Sequence, residues 1–331
     1  ALLYPSPNPP PDKAWPMTAP SSVPFGLQLH PQYTKWDEME SAAHLIEDTG
    51  WDVLMTWDHF VPLIGDVTGP NFEGWQILAA FAAITTRVQI AMLVTGNTYR
   101  HPAVLANMAS TLDHISHGRA VLGIGAAWNE HEHNMYGIPF DTPGVRLAKL
   151  AEATKIIRAL LDDGTVTFSG THYQLTNATL GTRPVQKRLP ILVGGGGERK
   201  TLRITARYAD WWHGFGDAAV ITHKLAVLRK HCEEVGRDPA AIMPTAGGGI
   251  FVTDDKSAID ARARAMMKRN RAESMNPIAN SGTPDEIAAR LVTLYQAGIR
   301  GFLFGMTPPY DHATIERVMT EVKPRFLELI G

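Results

Sequence analysis

From Val23 onward, short apolar runs alternate with longer segments whose apolar residues recur at helical spacing. The runs at 24–29 (PFGLQL), 52–57 (DVLMTW), 88–94 (VQIAMLV), 120–124 (AVLGI), 191–193, 210–213, 243–252 and 301–304 (GFLF) read as buried strands. Amphipathic helices are predicted over 36–48, 75–84, 102–115, 146–161, 200–208, 221–235, 257–268, 284–296 and 313–330. Gly50 is placed as the stop of the first helix and Pro102 in the first turn of the third. Segment 165–175 reads as a small hairpin excursion. Strands that alternate with helices in this way make βα units and a parallel sheet. Eight such units predict a closed (β/α)8 TIM barrel, an α/β fold, rather than an open doubly wound sheet. The barrel is expected to be one domain over 23–331, preceded by a proline-rich, loosely ordered arm over 1–22 in which Met17 is an alternative start.

Composition then sets bounds. With 331 residues, 44% of them hydrophobic and 19% charged, the chain is long enough for a large core. A net charge of −2 gives no global field toward nucleic acid or an anionic membrane, so neither partner is expected. No apolar run reaches the roughly 18 residues expected of a membrane span. Cys232 falls within a surface-helix pattern, has no disulfide partner in the chain, and is given no catalytic role. One cysteine and the lack of a signal-peptide pattern in 1–22 lead to the expectation of a cytoplasmic protein.

In such barrels the chemistry gathers in the loops at the C-terminal ends of the strands. Those places hold His30, Asp58-His59, Thr95-Gly96-Asn97, Gly125-Ala126-Ala127-Trp128-Asn129, the run Gly194 to Gly197, and His213. The strongest local signal is Val193, four glycines, and a helix containing Thr201. Glycines let backbone approach a ligand closely, and a helix N-terminus offers free N–H groups to an anion. The plain alternative is a flexible turn, against which stands the entropy cost of ordering four glycines. Arg199 stands where a Walker A loop needs glycine, and the Rossmann glycine spacing is absent. Arg183, Lys187, Arg188, Arg199, Lys200, Arg203 and Arg207 cluster nearby, and read equally well as an anion site or as solvated surface.

Asp58-His59 is the acid/base candidate, since the two side chains together can donate, accept and orient a proton; the alternative is a pair that satisfies itself in a buried turn. His131-Glu132-His133 does not make a metal site, because residues i and i+2 of a helix do not share a face. It is not H-E-x-x-H, and Pro31-Gln32 after His30 rules out H-x-H, so no metal is expected. Trp211 and Trp212 alternate across a strand, which points one ring to the core and the other toward the pocket.

The runs 97–102 (NTYRHP), 111–119 (TLDHISHGR), 123–130 (GIGAAWNE), 191–203 (ILVGGGGERKTLR) and 209–212 (ADWW) resemble the bacterial-luciferase-like superfamily. The similarity extends from about residue 25 to about residue 326, and the turns Asp58-His59-Phe60 and Gly96-Asn97-Thr98-Tyr99 look most like its coenzyme F420-dependent branch. The resemblance implies a TIM barrel with an insertion after strand seven, usually dimeric, with the cofactor ring in the barrel mouth and its phosphate at Gly195, Gly196, Gly197 and Thr201. Carried over by position, Asp58, Thr95, Asn97, Gly125, Ala126 and Asn129 contact the ring or its side chain, and His59 is the catalytic acid or base. In the sugar-phosphate branch a glutamate follows strand four and a tryptophan follows the histidine. Here Ala126 and Leu63 stand in those places, so a sugar phosphate is not the expected substrate. A non-prolyl cis bond is implied in strand three, at Met92-Leu93. The implied activity is an F420-dependent oxidoreductase that passes hydride between the deazaflavin and a small organic substrate. The alternatives are an FMN-dependent monooxygenase fed by a separate reductase, and a non-catalytic cofactor-binding protein. The loop 61–74 and the insertion after strand seven are expected to shape the substrate pocket.

Overall fold

The computed structural model describes residues 23–331, so the expected arm lies outside the described residues. The chain runs through β1 (Phe25–Leu29), α1 (Trp36–Thr49), β2 (Val53–Thr56), α2 (Gly74–Ile84), β3 (Gln89–Met92), β4 (Thr95–Gly96), α3 (Pro102–Ile115) and β5 (Ala120–Gly125). It continues with α4 (Glu130–Tyr136), α5 (Pro143–Asp163), the hairpin β6 (Thr165–Ser169) and β7 (Gln174–Thr179), β8 (Ile191–Gly194), α6 (Thr201–Tyr208), β9 (Trp211–His213) and α7 (Ala218–Val235). The last part is β10 (Met243–Val252), α8 (Ser257–Asn270), β11 (Asn280–Gly282), α9 (Pro284–Gln296), β12 (Gly301–Met306), α10 (His312–Arg317) and α11 (Lys323–Ile330). Strands β1, β2, β3, β5, β8, β9, β10 and β12 pair in parallel in that order, and β12 closes on β1. The result is the predicted closed (β/α)8 barrel.

The period-two alternation of the strands sorts residues between two cores. Val53 and Met55 of β2 turn inward to meet Ala91, Val121, Leu192, Trp211 and Leu303, whereas Leu54 packs outward under the helices. Gly26 of β1 leaves room inside for Leu303, whose Cδ2 lies 2.8 Å from where a Cβ would stand. Outside, Phe25, Phe302, Phe304 and Phe326 pack ring on ring at centroid distances of 5.3–6.3 Å. Gly50 ends α1 in the left-handed region at φ 90°, where a Cβ is costly.

Several expectations need correction. The break in strand three is a cis Leu93–Val94 bond, one residue beyond the expected place, because the Leu93 N–H still holds the β2 ladder through the Thr56 carbonyl at 3.0 Å. The C-terminal helix is two helices joined by a π turn over Val318–Val322. Helix α4 was not predicted: its buried residues are Glu132 and His133, so it carries no apolar period to detect. Strand β11, three residues long, extends β10 beyond the barrel and anchors the insertion. Trp211 fills the barrel interior while Trp212 is buried in the outer layer with Nε1 donating to the Gly195 carbonyl at 2.9 Å, so neither ring lines the pocket. Cys232 is buried on the inner face of α7, and burial pushes its thiol up to about 12.

Candidate active site

The strand ends open into a cavity of about 470 Å³, a size ordinary for cofactor and ligand sites. Its walls include His30, His59, Thr95, Gly125, Ala126, Gly195, Thr201 and His213, all from the strand-end loops singled out in the sequence. No aspartate, glutamate, lysine or arginine lines it among the described residues. Trp128 and Phe215 stand at its rim, 63% and 67% exposed.

Backbone without side chains forms a stretch of the wall. A Cβ on Gly125 or Gly194 would come within 3.1 Å of the Val94 side chain. Gly195 holds φ 123°, which side chains rarely adopt, and its N–H donates to the His213 carbonyl at 3.1 Å. Gln28 braces the bulge by donating from Nε2 to the Leu93 carbonyl. Its Oε1 lies 3.2 Å from His30 Nε2, so Nε2 bears the proton and Nδ1 accepts from the Thr307 hydroxyl at 2.9 Å. Burial, then the charge of His59, pushes His30 down to about 3, and burial holds His213 at about 4; both are neutral at pH 7. His30 stacks on Trp57 at 4.1 Å, and the Trp57 indole N–H has no acceptor among the described residues.

His59 is the acid/base group that the geometry best supports. Its Nδ1 lies 2.8 Å from Glu132 Oε2, and Nε2 has no partner among the described residues. Glu132 is fully buried at the start of α4, and receives the Tyr99 hydroxyl at 2.6 Å and the Phe60 N–H as well. Burial alone would raise its carboxyl, but these hydrogen bonds, that of His59 first, hold it below the usual range and therefore ionised. An ionised acceptor fixes a proton on Nδ1 of His59 and leaves Nε2 free to take or give a second one. The sequence reading missed Glu132. The available signal was the helix-start spacing of Asn129 and Glu132, in which Asn129 accepts from the Glu132 N–H at 3.3 Å while the glutamate reaches away to His59.

Other expected contact residues stand behind the wall. Asp58 is fully buried and bonded by both Nη atoms of Arg100, at 2.5 and 3.0 Å, so it does not line the cavity. Asn97 is buried with its N–H on the Gly125 carbonyl at 2.9 Å, and Asn129 is occupied capping α4. Gly196 and Gly197 do not line it either: a Cβ on Gly196 would meet Lys224 at 3.7 Å, and one on Gly197 would meet the Thr201 hydroxyl at 2.8 Å. The basic cluster disperses, with Arg203 and Arg207 exposed on the outside of α6 and Arg188 paired with Asp162 and Asp210.

These features have relatives. A family model described as luciferase-like monooxygenase matches residues 17–276. An uncharacterized protein of Mycobacterium tuberculosis is 32% identical over 213 residues, covering 60% of this chain and 74% of that protein. The phthiodiolone/phenolphthiodiolone dimycocerosates ketoreductase of the same species is 31% identical over 238 residues, covering 70% of this chain and 58% of that protein. An F420-dependent secondary alcohol dehydrogenase solved with an F420–acetone adduct superposes with TM-score 0.79 at 21% identity, over 92% of this chain and 99% of that one. Long-chain alkane monooxygenase superposes with TM-score 0.76 at 17% identity, over 95% and 92%. Barrel, strand-three bulge and glycine-walled mouth thus accompany a family match over most of the sequence, and the chain belongs to the luciferase-like monooxygenase family.

Proposed function

We propose that the protein is an F420-dependent oxidoreductase that interconverts a carbonyl and an alcohol in a small organic molecule. One observation carries this reading: His59, held by ionised Glu132, borders a largely apolar cavity with a glycine-rich stretch of wall. Reduction of a carbonyl needs a proton at oxygen as well as hydride at carbon. When bound, the deazaflavin supplies or takes the hydride. His59 gives the oxygen a proton as the C=O π bond becomes C–H and O–H, and takes it back in the reverse direction.

The residues suit a flat cofactor. Gly125 and Gly194 leave a stretch of wall without side chains against Val94, and Thr95 and Ala126 continue it. Gly195 and Thr201 border the same cavity at the uncapped start of α6, with Gly196 and Gly197 completing the turn where a phosphate would lie. Asp58 and Asn97 act from behind, Asp58 by fixing Arg100, and Asn129 acts by starting the helix that brings Glu132 to His59. The relative named as a ketoreductase and the fold shared with an F420-dependent alcohol dehydrogenase support the carbonyl–alcohol class.

The test is a fluorescence titration of the protein with F420 and with FMN, followed by mixing with reduced F420 and a panel of ketones. Binding of F420 with oxidation of the reduced form by a ketone is expected. Tight FMN binding without F420 binding, with oxygen consumption when reduced FMN is supplied, would establish the monooxygenase reading instead.

A further inference from the structure

The main cavity shares His30, Leu63, Gly249 and Gly305 with a second cavity of about 460 Å³, walled by α8, the segment 274–278 and the end of β12. One residue there has no counterpart elsewhere in the two cavities. Arg262 of α8 is the sole charged side chain lining either of them among the described residues.

Its guanidinium is poorly satisfied. Nη2 donates to the Thr307 carbonyl at 3.1 Å, Nε is buried without a partner, and Arg262 forms no ion pair among the described residues. Asp311, the carboxylate whose charge it feels, accepts from the Thr314 hydroxyl at 2.8 Å instead. Arg146, Arg158 and Arg290 also have a buried Nε without a partner, but other inward arginines reach several acceptors or carboxylates through their remaining donors. Arg100 grips Asp58 and Glu73, Arg158 grips Asp162 and Asp210, and Arg119 places its donors on three carbonyls of 82–88, the Ser116 carbonyl and the Thr85 hydroxyl. Five fixed donors with one hydrogen-bond acceptor, beside the Phe251 ring at 5.8 Å, leave most of the hydrogen-bonding capacity of this half-buried cation unused. A ligand oxyanion supplies what is missing, and a guanidinium is the side chain best matched to its geometry.

We propose that Arg262 anchors a substrate subsite for an oxyanion, carboxylate or phosphate, on a molecule whose reacting carbonyl lies beside His59. Placing the reacting carbon there rests on the proposed carbonyl–alcohol activity; the oxyanion subsite itself does not. The anion end is held by the insertion after β10 and the reactive end by the barrel mouth, so the substrate spans both cavities.

Calorimetric titration of the protein with 4-oxopentanoate, its methyl ester and methyl phosphate reads the subsite directly. Wild type is expected to bind at least one of the two anions about tenfold or more tightly than the ester, the scale of a hydrogen bond to a charged group. Which anion wins separates carboxylate from phosphate. Arg262→Gln should erase that preference, and Arg262→Lys should keep part of it. No preference for either anion over the ester in wild type, a comparison that needs no variant, overturns the proposal. So does an Arg262→Gln protein of unchanged melting temperature that keeps the preference. Turnover of the acid and ester with reduced F420 forms a separate arm: anion preference without any ketone reduction sinks the carbonyl–alcohol reading and leaves the subsite standing.

Discussion

His59 and Glu132 are 73 positions apart in sequence and 2.8 Å apart in space, and their roles differ. His59 borders the cavity and is positioned to touch substrate, whereas Glu132 is wholly buried and acts through the imidazole. Replacing His59 with glutamine should lower kcat about 100-fold or more, in line with loss of a general acid or base, while the F420 dissociation constant stays within about twofold. Glu132→Gln keeps the shape but loses the charge that fixes Nδ1–H. It should lower kcat about tenfold or more with KM little changed, and it should abolish the same downfield imidazole proton signal that His59→Gln removes. An intact signal in Glu132→Gln would mean that the carboxylate does not hold the ring. Asp58, the more conspicuous acid in the sequence, is committed to Arg100, so its substitution should read mainly as lost stability.

At the scale of elements, the turn from β8 into α6 shows which of four adjacent glycines matters and why. Gly195 combines φ 123° with a place on the cavity wall, and an added Cβ would sit 3.5 Å from Thr201 Cγ2. Gly196 has an ordinary φ and space for a Cβ. Gly195→Val should therefore weaken F420 binding tenfold or more and cost about 1–3 kcal/mol of stability for the strained backbone. Gly196→Ala should leave both nearly unchanged by fluorescence titration and thermal melting, and equal effects of the two would remove the turn from the cofactor site. A second element-scale feature ties the two cavities together. Gln32 is buried between the loop after β2 and α8, accepting from the Leu63 N–H at 2.9 Å and donating to Asn270 at 2.5 Å. The two segments expected to shape the substrate pocket are thus held against each other, and Leu63 of the first lines both cavities.

For the molecule as a whole, neutral buried histidines make folding sensitive to acid. His30 falls from 6.5 to about 3 and His213 from 6.5 to about 4, so between those values and pH 6.5 the unfolded chain binds protons that the folded chain does not. Stability is then full above about pH 6.5 and is lost as pH falls, by up to about 1.4 kcal/mol per pH unit for each histidine that must be neutral. Glu132, with its carboxyl held low, adds loss of the same sign at more acid pH. Urea unfolding between pH 7 and pH 4.5 should show this slope, reduced in His213→Gln. A flat profile would show that these histidines are charged, or solvated, in the folded protein.

The barrel itself was legible because it is written locally. Helices such as 102–115 and 284–296 coincide with the observed elements, since each repeats its apolar residues at the helical period and begins at proline, and the strand run 243–252 coincides as an apolar stretch. The candidate loops were legible too, because a parallel barrel forces the chemistry to one rim, and that rim holds His59, Thr95, Gly125, Ala126, Gly195 and Thr201 together. What the tertiary structure decided are the pairings between distant segments. Only the folded chain commits Asp58 to Arg100, brings Glu132 to His59, turns both Trp211 and Trp212 into packed layers, and leaves Arg262 with a single hydrogen-bond acceptor. Local periodicity records which side of an element meets the core. It carries no record of which charge, from 40 or 70 residues away, will meet it there.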